Sequence, residues 1–183
     1  MSTPNITFVG IGLMGAPMAA RLLAHGFALR AWNRTSEKAA ALAGSGAHAE
    51  PDLQEAVRNA DIVISMLESG AVVGQVIEGA LPALKPGCLW IDMSSTRQDE
   101  AVAFNDKLES VGFHFLDAPV SGGVAGAEAG TLAIMAGGSV QDFSLAEPVL
   151  HAMGRPMLVG PAGSGQVAKL CNQMIVGGTL NII

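Results

Sequence analysis

The chain has 183 residues, of which 50% are hydrophobic, only 14% are charged and 23 are glycine. This composition predicts one well-buried α/β domain, or one domain and the beginning of another, and it excludes a disordered chain. The net charge of −6 and the scattered Lys and Arg residues argue against nucleic acid as a partner.

Strand-like and helix-like runs alternate along the chain, as is typical of an α/β protein with a doubly wound, mostly parallel sheet. The apolar run ITFVG is followed by a helical segment, and the strand ALRAW by a helix with Ser36 as its expected N-cap. After the short strand AHAE, Pro51 is expected in the first turn of a helix. The later strand candidates are DIVISML, CLWIDMS, HFLDAPV, TLAIMAG and PMLVG, which gives about eight strands in all.

A glycine-rich turn joins the first strand to the first helix. In FVGIGLMGAP, residues Gly10, Gly12 and Gly15 have the spacing G-x-G-x-x-G, which binds the pyrophosphate of a dinucleotide at a helix N-terminus. Gly10 permits a tight turn, Gly12 lets the backbone approach the phosphates, and Gly15 allows close packing of helix on strand. Such turns also occur for structural reasons alone, but the position in the first βαβ unit favours a dinucleotide site.

The end of the second strand carries Asn33, Arg34 and Thr35, where an NAD-binding chain usually has Asp or Glu for the ribose 2′-hydroxyl. A carboxylate there would repel a 2′-phosphate, whereas an arginine can bind one through charge-assisted hydrogen bonds. We therefore expect NADP(H) as the cofactor rather than NAD. The alternative interpretation is that Arg34 is a solvated residue at a helix start, close to Glu37.

Two further segments have the composition of a substrate site. In DAPVSGG, Ser121, Gly122 and Gly123 offer a hydroxyl and unobstructed backbone N–H groups for a small carboxylate, although a glycine-rich connection without a ligand is an equal alternative. In GSGQVAKLCNQ, Lys169 and Asn172 lie on one face of the expected helix. A lysine partly desolvated beside a cofactor can exchange protons near neutrality, so Lys169 is a candidate acid/base, with an ordinary surface lysine as the alternative.

The motifs FVGIGLMGAPMA, IDMSST, DAPVSGG with GTLAIMAGG, and GSGQVAKLCNQ, in this order and spacing, resemble the β-hydroxyacid dehydrogenase family. The resemblance covers essentially the whole chain. It implies a Rossmann-type fold with residues 1–162 as an NADP-binding domain. Residues 163–183 would begin an interdomain helix leading to an all-helical C-terminal domain, which is missing from this chain.

The resemblance also implies a role for individual residues. Lys169 would be the catalytic acid/base, Ser121 to Gly123 would hold the substrate carboxylate, and Asn172 would orient the substrate. The implied cofactor contacts outside residues 33–35 are Gly10, Ile11, Gly12, Leu13, Met14, Gly15, Leu67, Glu68 and Thr96. Glu68 departs from the family pattern, which commonly has proline at this position.

These observations predict an NADP-dependent oxidoreductase that transfers hydride between NADPH and a small aldehyde or keto acid bearing a carboxylate. One alternative is a cofactor-binding module without turnover, because the second domain is absent. Another is an imine-reductase-like enzyme, against which Lys169 argues, since those enzymes resemble this layout with Asp or Tyr at that position.

The remaining expectations concern location and association. The apolar N-terminal run has no basic region before it, so a cytoplasmic protein without a membrane segment is expected. Cys88 and Cys171 are far apart, so no metal site is expected. After Lys169 no residue is charged, and the apolar helix there is expected to join two copies of the chain. Its apolar residues are Leu170, Cys171, Met174, Ile175, Val176, Leu180, Ile182 and Ile183.

Overall fold

The computed structural model describes residues 3–180, with side-chain burial as far as Val176. Strands and helices alternate along this part of the chain. The strands are β1 (Ile6–Val9), β2 (Leu29–Trp32), β3 (His48–Ala49), β4 (Ile62–Ser65), β5 (Leu89–Asp92), β6 (His114–Asp117), β7 (Val120–Ser121), β8 (Leu132–Gly137) and β9 (Gly154–Gly160). The helices are α1 (Gly15–Ala24), α2 (Ser36–Ala40), α3 (Leu53–Val57), α4 (Gly70–Ala80), α5 (Gln98–Ser110), α6 (Gly123–Ala129), α7 (Val140–His151) and α8 (Ser164–Leu180).

One sheet contains all of these strands, in the order β3-β2-β1-β4-β5-β6-β8-β7, with β9 paired to β8. All pairs among strands β1 to β6 are parallel, β8 is antiparallel to both β6 and β7, and β9 is parallel to β8. The prediction of a Rossmann-type, mostly parallel sheet is confirmed. The expected strand HFLDAPV is divided into β6 and β7, because Pro119 between them has no N–H to continue the ladder.

Alternate residues of the central strands face two separate cores. Ile64 of β4 packs in a cluster with Met18 and Leu22 of α1, whereas its neighbour Val63 packs in a second cluster with Val73 of α4. Helices therefore cover both faces of the sheet, as expected for strands that read as nearly continuous apolar runs. Burial of each such large side chain stabilises the fold by about 1.5–3 kcal/mol.

Two predictions about helix starts are wrong. Ser36 is the first residue of α2, and the N-cap is Thr35, whose side chain makes no capping hydrogen bond. Pro51 precedes α3 because Asp52 is the N-cap, with its Oδ1 accepting a hydrogen bond from Glu55 N–H at 2.9 Å. The carboxylate accepts a hydrogen bond from a first-turn N–H group that would otherwise be unpaired. The side chain of proline has no acceptor for such a bond.

The helix α8 begins at Ser164, directly after the loop that follows β9. Its first turns pack against β6, β8 and α5. The predicted domain boundary after residue 162 lies close to the start of α8. The division of the chain into two domains stays a prediction. Within residues 3–180, no helix is long and apolar enough to cross a lipid bilayer.

Candidate functional site

The glycine turn between β1 and α1 brings backbone segments very close together. Gly10 has a φ of +98°, and a Cβ at this position would overlap the Met66 carbonyl oxygen. A Cβ on Gly15 would overlap the Gly10 carbonyl oxygen, so α1 begins directly against the turn. Gly12 differs, because apart from its own residue and its two chain neighbours no heavy atom lies within 4 Å of the position its Cβ would take. The turn thus leaves open space above the Gly12 backbone, where the pyrophosphate of a dinucleotide approaches in such folds.

Asn33 connects this turn to the end of β2. Its Oδ1 accepts a hydrogen bond from Ile11 N–H at 2.9 Å, and its Nδ2 donates to Thr35 O at 2.9 Å. An aspartate has no donor for the second of these bonds. The neutral amide therefore holds the glycine turn and the following loop together.

A cleft of about 250 Å³, here called the adenosine-side cleft, opens between the glycine turn and the end of β2. The predicted cofactor residues Asn33, Arg34 and Thr35 line it, and so does Lys38 of α2, while their contact with a cofactor stays a prediction. In the described part of the chain Arg34 makes no hydrogen bond or salt bridge, and it does not pair with Glu37. The sequence reasoning missed Lys38, although a second cation four residues after Arg34 is a usable signal.

A second cleft, of about 510 Å³, brings together Thr96 and Lys169, which are far apart in sequence. We call it the lysine-side cleft. Glu68 lines both clefts, so the two adjoin, and Leu67 lines the adenosine-side cleft. Lys169 is half-buried, and this desolvation lowers the pKa of its ammonium group.

The proposed substrate residues also meet in the structure. Asn172 Nδ2 donates a hydrogen bond to Ser121 Oγ at 2.9 Å. Gly122 and Gly123, with φ of +138° and +62°, follow Ser121 and start α6, and such angles favour glycine. Lys169 lies three residues before Asn172 on α8, which puts both side chains on one side of the helix.

Sequence reasoning missed two buried carboxylates at the carboxyl ends of β5 and β6. Asp92 Oδ1 accepts hydrogen bonds from Ser65 Oγ at 2.8 Å and from Ser94 Oγ at 2.6 Å. Ser94 Oγ in turn accepts from Leu67 N–H at 2.9 Å, which connects this carboxylate to the loop beside the adenosine-side cleft. Burial raises the pKa of Asp92 to about 6, although the serine hydrogen bonds oppose this change.

Asp117 at the end of β6 holds the start of α8. Its Oδ1 accepts from Gly163 N–H at 2.7 Å, and its Oδ2 accepts from Gln166 N–H at 2.9 Å. Burial raises the pKa of Asp117, whereas these backbone donors lower it. The sequence signal that could have identified Asp117 is an aspartate at the end of an apolar strand, within the motif DAPVSGG. Sequence reasoning assigned no role to this aspartate.

None of the described cysteines and histidines lines either cleft. Among the residues that the structure describes, no group of three His, Cys, Asp or Glu side chains is arranged to hold a metal ion. Cys88 is buried, which raises the pKa of its thiol to about 12, and Cys171 is exposed on α8.

A parallel sheet with a glycine turn after its first strand, and with clefts at the carboxyl ends of its strands, defines the class of dinucleotide-binding Rossmann-type domains. Residues 5–171 match the family model described as the NAD binding domain of 6-phosphogluconate dehydrogenase. The chain belongs to this family. The predicted resemblance to the β-hydroxyacid dehydrogenases is confirmed by the relatives named below.

The chain is 40% identical over 176 residues to the NAD-dependent L-serine dehydrogenase of Pseudomonas aeruginosa, a match that covers 94% of this chain and 59% of that protein. It is 41% identical to the 3-hydroxyisobutyrate dehydrogenase of Mycobacterium tuberculosis, solved with L-serine, with a TM-score of 0.93 over 96% of this chain and 60% of that one. An imine reductase from Myxococcus stipitatus, solved with NAD+, has a TM-score of 0.92 over 98% of this chain and 62% of that one, and its 22% identity shows the fold alone. The chain thus spans 54% to 63% of the length of the curated relatives named in these comparisons.

Proposed function

We propose that the protein is an oxidoreductase that transfers hydride between NADP(H) and a small carboxylate-bearing aldehyde or keto acid, or the corresponding hydroxy acid. The observation that carries this proposal is the position of Lys169. Its half-buried side chain lines the lysine-side cleft, which adjoins the adenosine-side cleft beside the glycine turn, since Glu68 lines both clefts. A ligand as long as a dinucleotide can occupy both clefts and bring its nicotinamide end to this amine.

The residues present fit a dinucleotide with a 2′-phosphate. Gly12 leaves the space that a pyrophosphate needs, and the N-terminus of α1 favours negative charge there. Arg34 and Lys38 both line the adenosine-side cleft, and the side chain of neither makes a hydrogen bond or salt bridge within residues 3–180. A relative at 40% identity is named NAD-dependent, so the preference for NADP(H) rests on these two cations.

The cofactor, when bound, supplies or accepts the hydride. The amine of Lys169 handles the accompanying proton, donating it to the substrate oxygen during reduction and accepting it during oxidation. Partial burial suits this task, because it lowers the pKa of Lys169 toward neutrality. Ser121 and Asn172, joined by their hydrogen bond, offer a hydroxyl and an amide to orient the substrate carboxylate, with the N–H groups of the following glycines beside them.

The proposal is tested by titrating the protein with NADP+ and with NAD+, and by a turnover assay with small semialdehydes, keto acids and hydroxy acids. Tighter binding of NADP+ is expected. Lys169→Ala should abolish turnover while leaving NADP+ affinity nearly unchanged. Equal or tighter binding of NAD+ would remove the NADP assignment, and turnover retained by the variant would remove Lys169 from the mechanism.

A cofactor-binding module without turnover is the second candidate function. The observation that favours it is Leu170, which lines the lysine-side cleft and is 62% exposed, so this cleft has an uncovered apolar wall. The same turnover assay separates the two functions. An imine-reductase-like activity is a third alternative, which the lysine at position 169 opposes, and cyclic imines in the substrate panel test it.

We also propose that α8 joins two copies of the chain. Leu170 and Met174 are 62% and 69% exposed, and Val176 is 43% exposed. Leu180, Ile182 and Ile183, which the sequence adds to this surface, lie outside the residues whose side chains are described. Sedimentation should show a dimer for the wild type and a monomer for Leu170→Gln/Met174→Gln; a monomeric wild type would contradict the proposal. A cytoplasmic location stays a prediction.

A further inference from the structure

Gln166 in the first turn of α8 is almost completely buried, with 4% exposure. Its Oε1 accepts a hydrogen bond from Thr96 N–H at 3.1 Å, and its Nε2 donates to Ser94 O at 2.9 Å. Its backbone N–H donates to Asp117 Oδ2 at 2.9 Å. One side chain thus fastens the loop after β5 to the start of α8, while the backbone of the same residue is fastened to the end of β6.

The loop that Gln166 holds carries groups of both clefts. Thr96 lines the lysine-side cleft, and its Oγ1 is buried without a hydrogen-bond partner in the described part of the chain. Ser94 Oγ accepts the N–H of Leu67, which lines the adenosine-side cleft. The positions of the Thr96 hydroxyl and of the Leu67 loop therefore depend on the backbone between residues 94 and 96, to which the Gln166 amide is bonded at both ends.

The helix that carries Gln166 also carries Lys169, one turn later. This part of α8 lies tightly against the sheet, since a Cβ on Gly165 would overlap the Met135 carbonyl oxygen and lie 2.7 Å from Asp117 Oδ2. Residues three apart on a helix share a side, so the amide and the amine face the same region. The backbone contacts fix the helix on the sheet, and the Gln166 side chain fixes the loop on the helix.

We propose that Gln166 is a positioning residue, which holds the loop of Ser94 and Thr96 at a set distance from Lys169 so that the lysine-side cleft accepts the nicotinamide half of the cofactor. This inference rests on the proposed function and adds to it a residue that acts through Thr96 and Lys169. Its link to the adenosine-side cleft is indirect, through the Ser94 hydroxyl and the Leu67 N–H, so binding in that cleft should depend on Gln166 much less.

The test compares two ligands on one variant. Gln166→Met keeps the length and volume of the side chain and removes both amide hydrogen bonds. Its affinity for NADP+ should fall by about tenfold, the change expected for one net hydrogen bond. Its affinity for adenosine 2′,5′-bisphosphate, which lacks the nicotinamide half, should stay within about twofold. Isothermal titration calorimetry measures both, and Gln98→Met is the control, because this nearby glutamine of α5 is exposed and lines neither cleft.

A second variant gives a pH signature that loss of packing would not produce. In Gln166→Glu the protonated carboxyl can accept from Thr96 N–H and donate to Ser94 O, whereas the ionised form has no donor and faces the Ser94 carbonyl. NADP+ affinity of this variant should therefore approach the wild-type value at low pH and fall as the carboxyl ionises. The variant is compared with the wild type at each pH, because Asp92, which bonds the Ser94 hydroxyl and has a pKa raised to about 6, and the 2′-phosphate of NADP+ titrate in both proteins.

The outcomes separate the two proposals. If the wild type binds neither NADP+ nor NAD+, the proposed function fails and this inference fails with it. If the wild type binds NADP+ and Gln166→Met binds it equally well, only the positioning role is overturned. It is also overturned if both ligands weaken to the same extent, because Gln166 then supports the fold in general. Circular dichroism and urea unfolding of each variant show whether it is folded under the conditions of the titration.

Discussion

Asp92 and Asp117 stand in register on the neighbouring parallel strands β5 and β6, and both are completely buried. Asp117 accepts backbone N–H groups with both oxygens, whereas the Oδ2 of Asp92 has no partner within the described residues. Burial raises the pKa of each carboxyl, and the charge of Asp117 raises that of Asp92 further. The carboxyl edge of the sheet therefore holds two acids that favour protonation more than exposed acids do.

Asp92→Asn should change how stability depends on pH. The pKa of Asp92 is raised from 3.8 to about 6, so between these values the native state binds more protons than the unfolded state. This residue therefore lowers the free energy of unfolding as pH rises through that window, by at most about 3 kcal/mol, and its contribution is constant above it. Urea unfolding between pH 4 and pH 7 should show a difference between wild type and variant that varies with pH. A difference that stays constant with pH for Asp92→Asn would contradict the raised pKa.

Gly12→Ala and Gly10→Ala should separate cofactor binding from folding. The first variant should keep its free energy of unfolding within about 0.5 kcal/mol, since no atom lies within 4 Å of the new Cβ. It should nevertheless bind NADP+ at least about tenfold more weakly, because the methyl group occupies the space of the pyrophosphate. Gly10→Ala should lose about 1–3 kcal/mol of stability, owing to its φ of +98° and the overlap with Met66 O. Gly44→Ala, also in open space, is the control, and strong NADP+ binding by Gly12→Ala would mean that the turn is not the phosphate site.

Arg34→Ala should weaken NADP+ by about 10- to 100-fold and leave NAD+ affinity almost unchanged. The expected loss corresponds to about 1.5–3 kcal/mol for charge-assisted hydrogen bonds to a phosphate. Arg155→Ala is the matched control, because Arg155 is an exposed arginine of β9 outside both clefts. Equal losses for NADP+ and NAD+ in Arg34→Ala would show that this residue does not read the 2′-phosphate.

The pH dependence of turnover should report the pKa of Lys169. Oxidation of a hydroxy acid needs the neutral amine as a base, so its kcat should rise with pH through this pKa, whereas reduction needs the ammonium and should fall. Because partial burial lowers the pKa of Lys169 below 10.5, the rise should come at a lower pH than for an exposed lysine. Lys169→Arg, which cannot lose its proton, should show neither trend, and an unchanged profile in that variant would assign the proton transfer to another group.

The sequence was sufficient for those features that local patterns encode. The sheet follows from the alternation of apolar runs with helical segments, and the glycine turn from three residues within six positions. The clefts could be anticipated because, in parallel sheets, residues after successive strands meet at one edge. Arg34 was predicted from the end of the second strand and Lys169 from its place on the expected helix, whereas Thr96 was implied by the family resemblance alone.

The missed features depend on contacts between distant residues or on single backbone groups. Gln166 and Thr96 are 70 positions apart, and no periodicity in either segment indicates that an amide of one will bind the backbone of the other. The separate strand β7 depends on the missing N–H of Pro119 within an otherwise continuous apolar run. Asp92 looks like an ordinary residue at the end of a strand until the register of β4, β5 and β6 is known.

Asn33 and Arg34 are adjacent, yet they perform separable tasks. The amide of Asn33 holds Ile11 and Thr35, whereas the guanidinium of Arg34 makes no bond within the described chain. On the proposed function, mutational drift or laboratory evolution should be able to change the cofactor preference at Arg34 and Lys38 without loosening the glycine turn. A library randomised at residues 34, 35 and 38 should yield mostly folded variants that differ in cofactor selectivity. Randomising residue 33 as well would fill the same library with unstable clones.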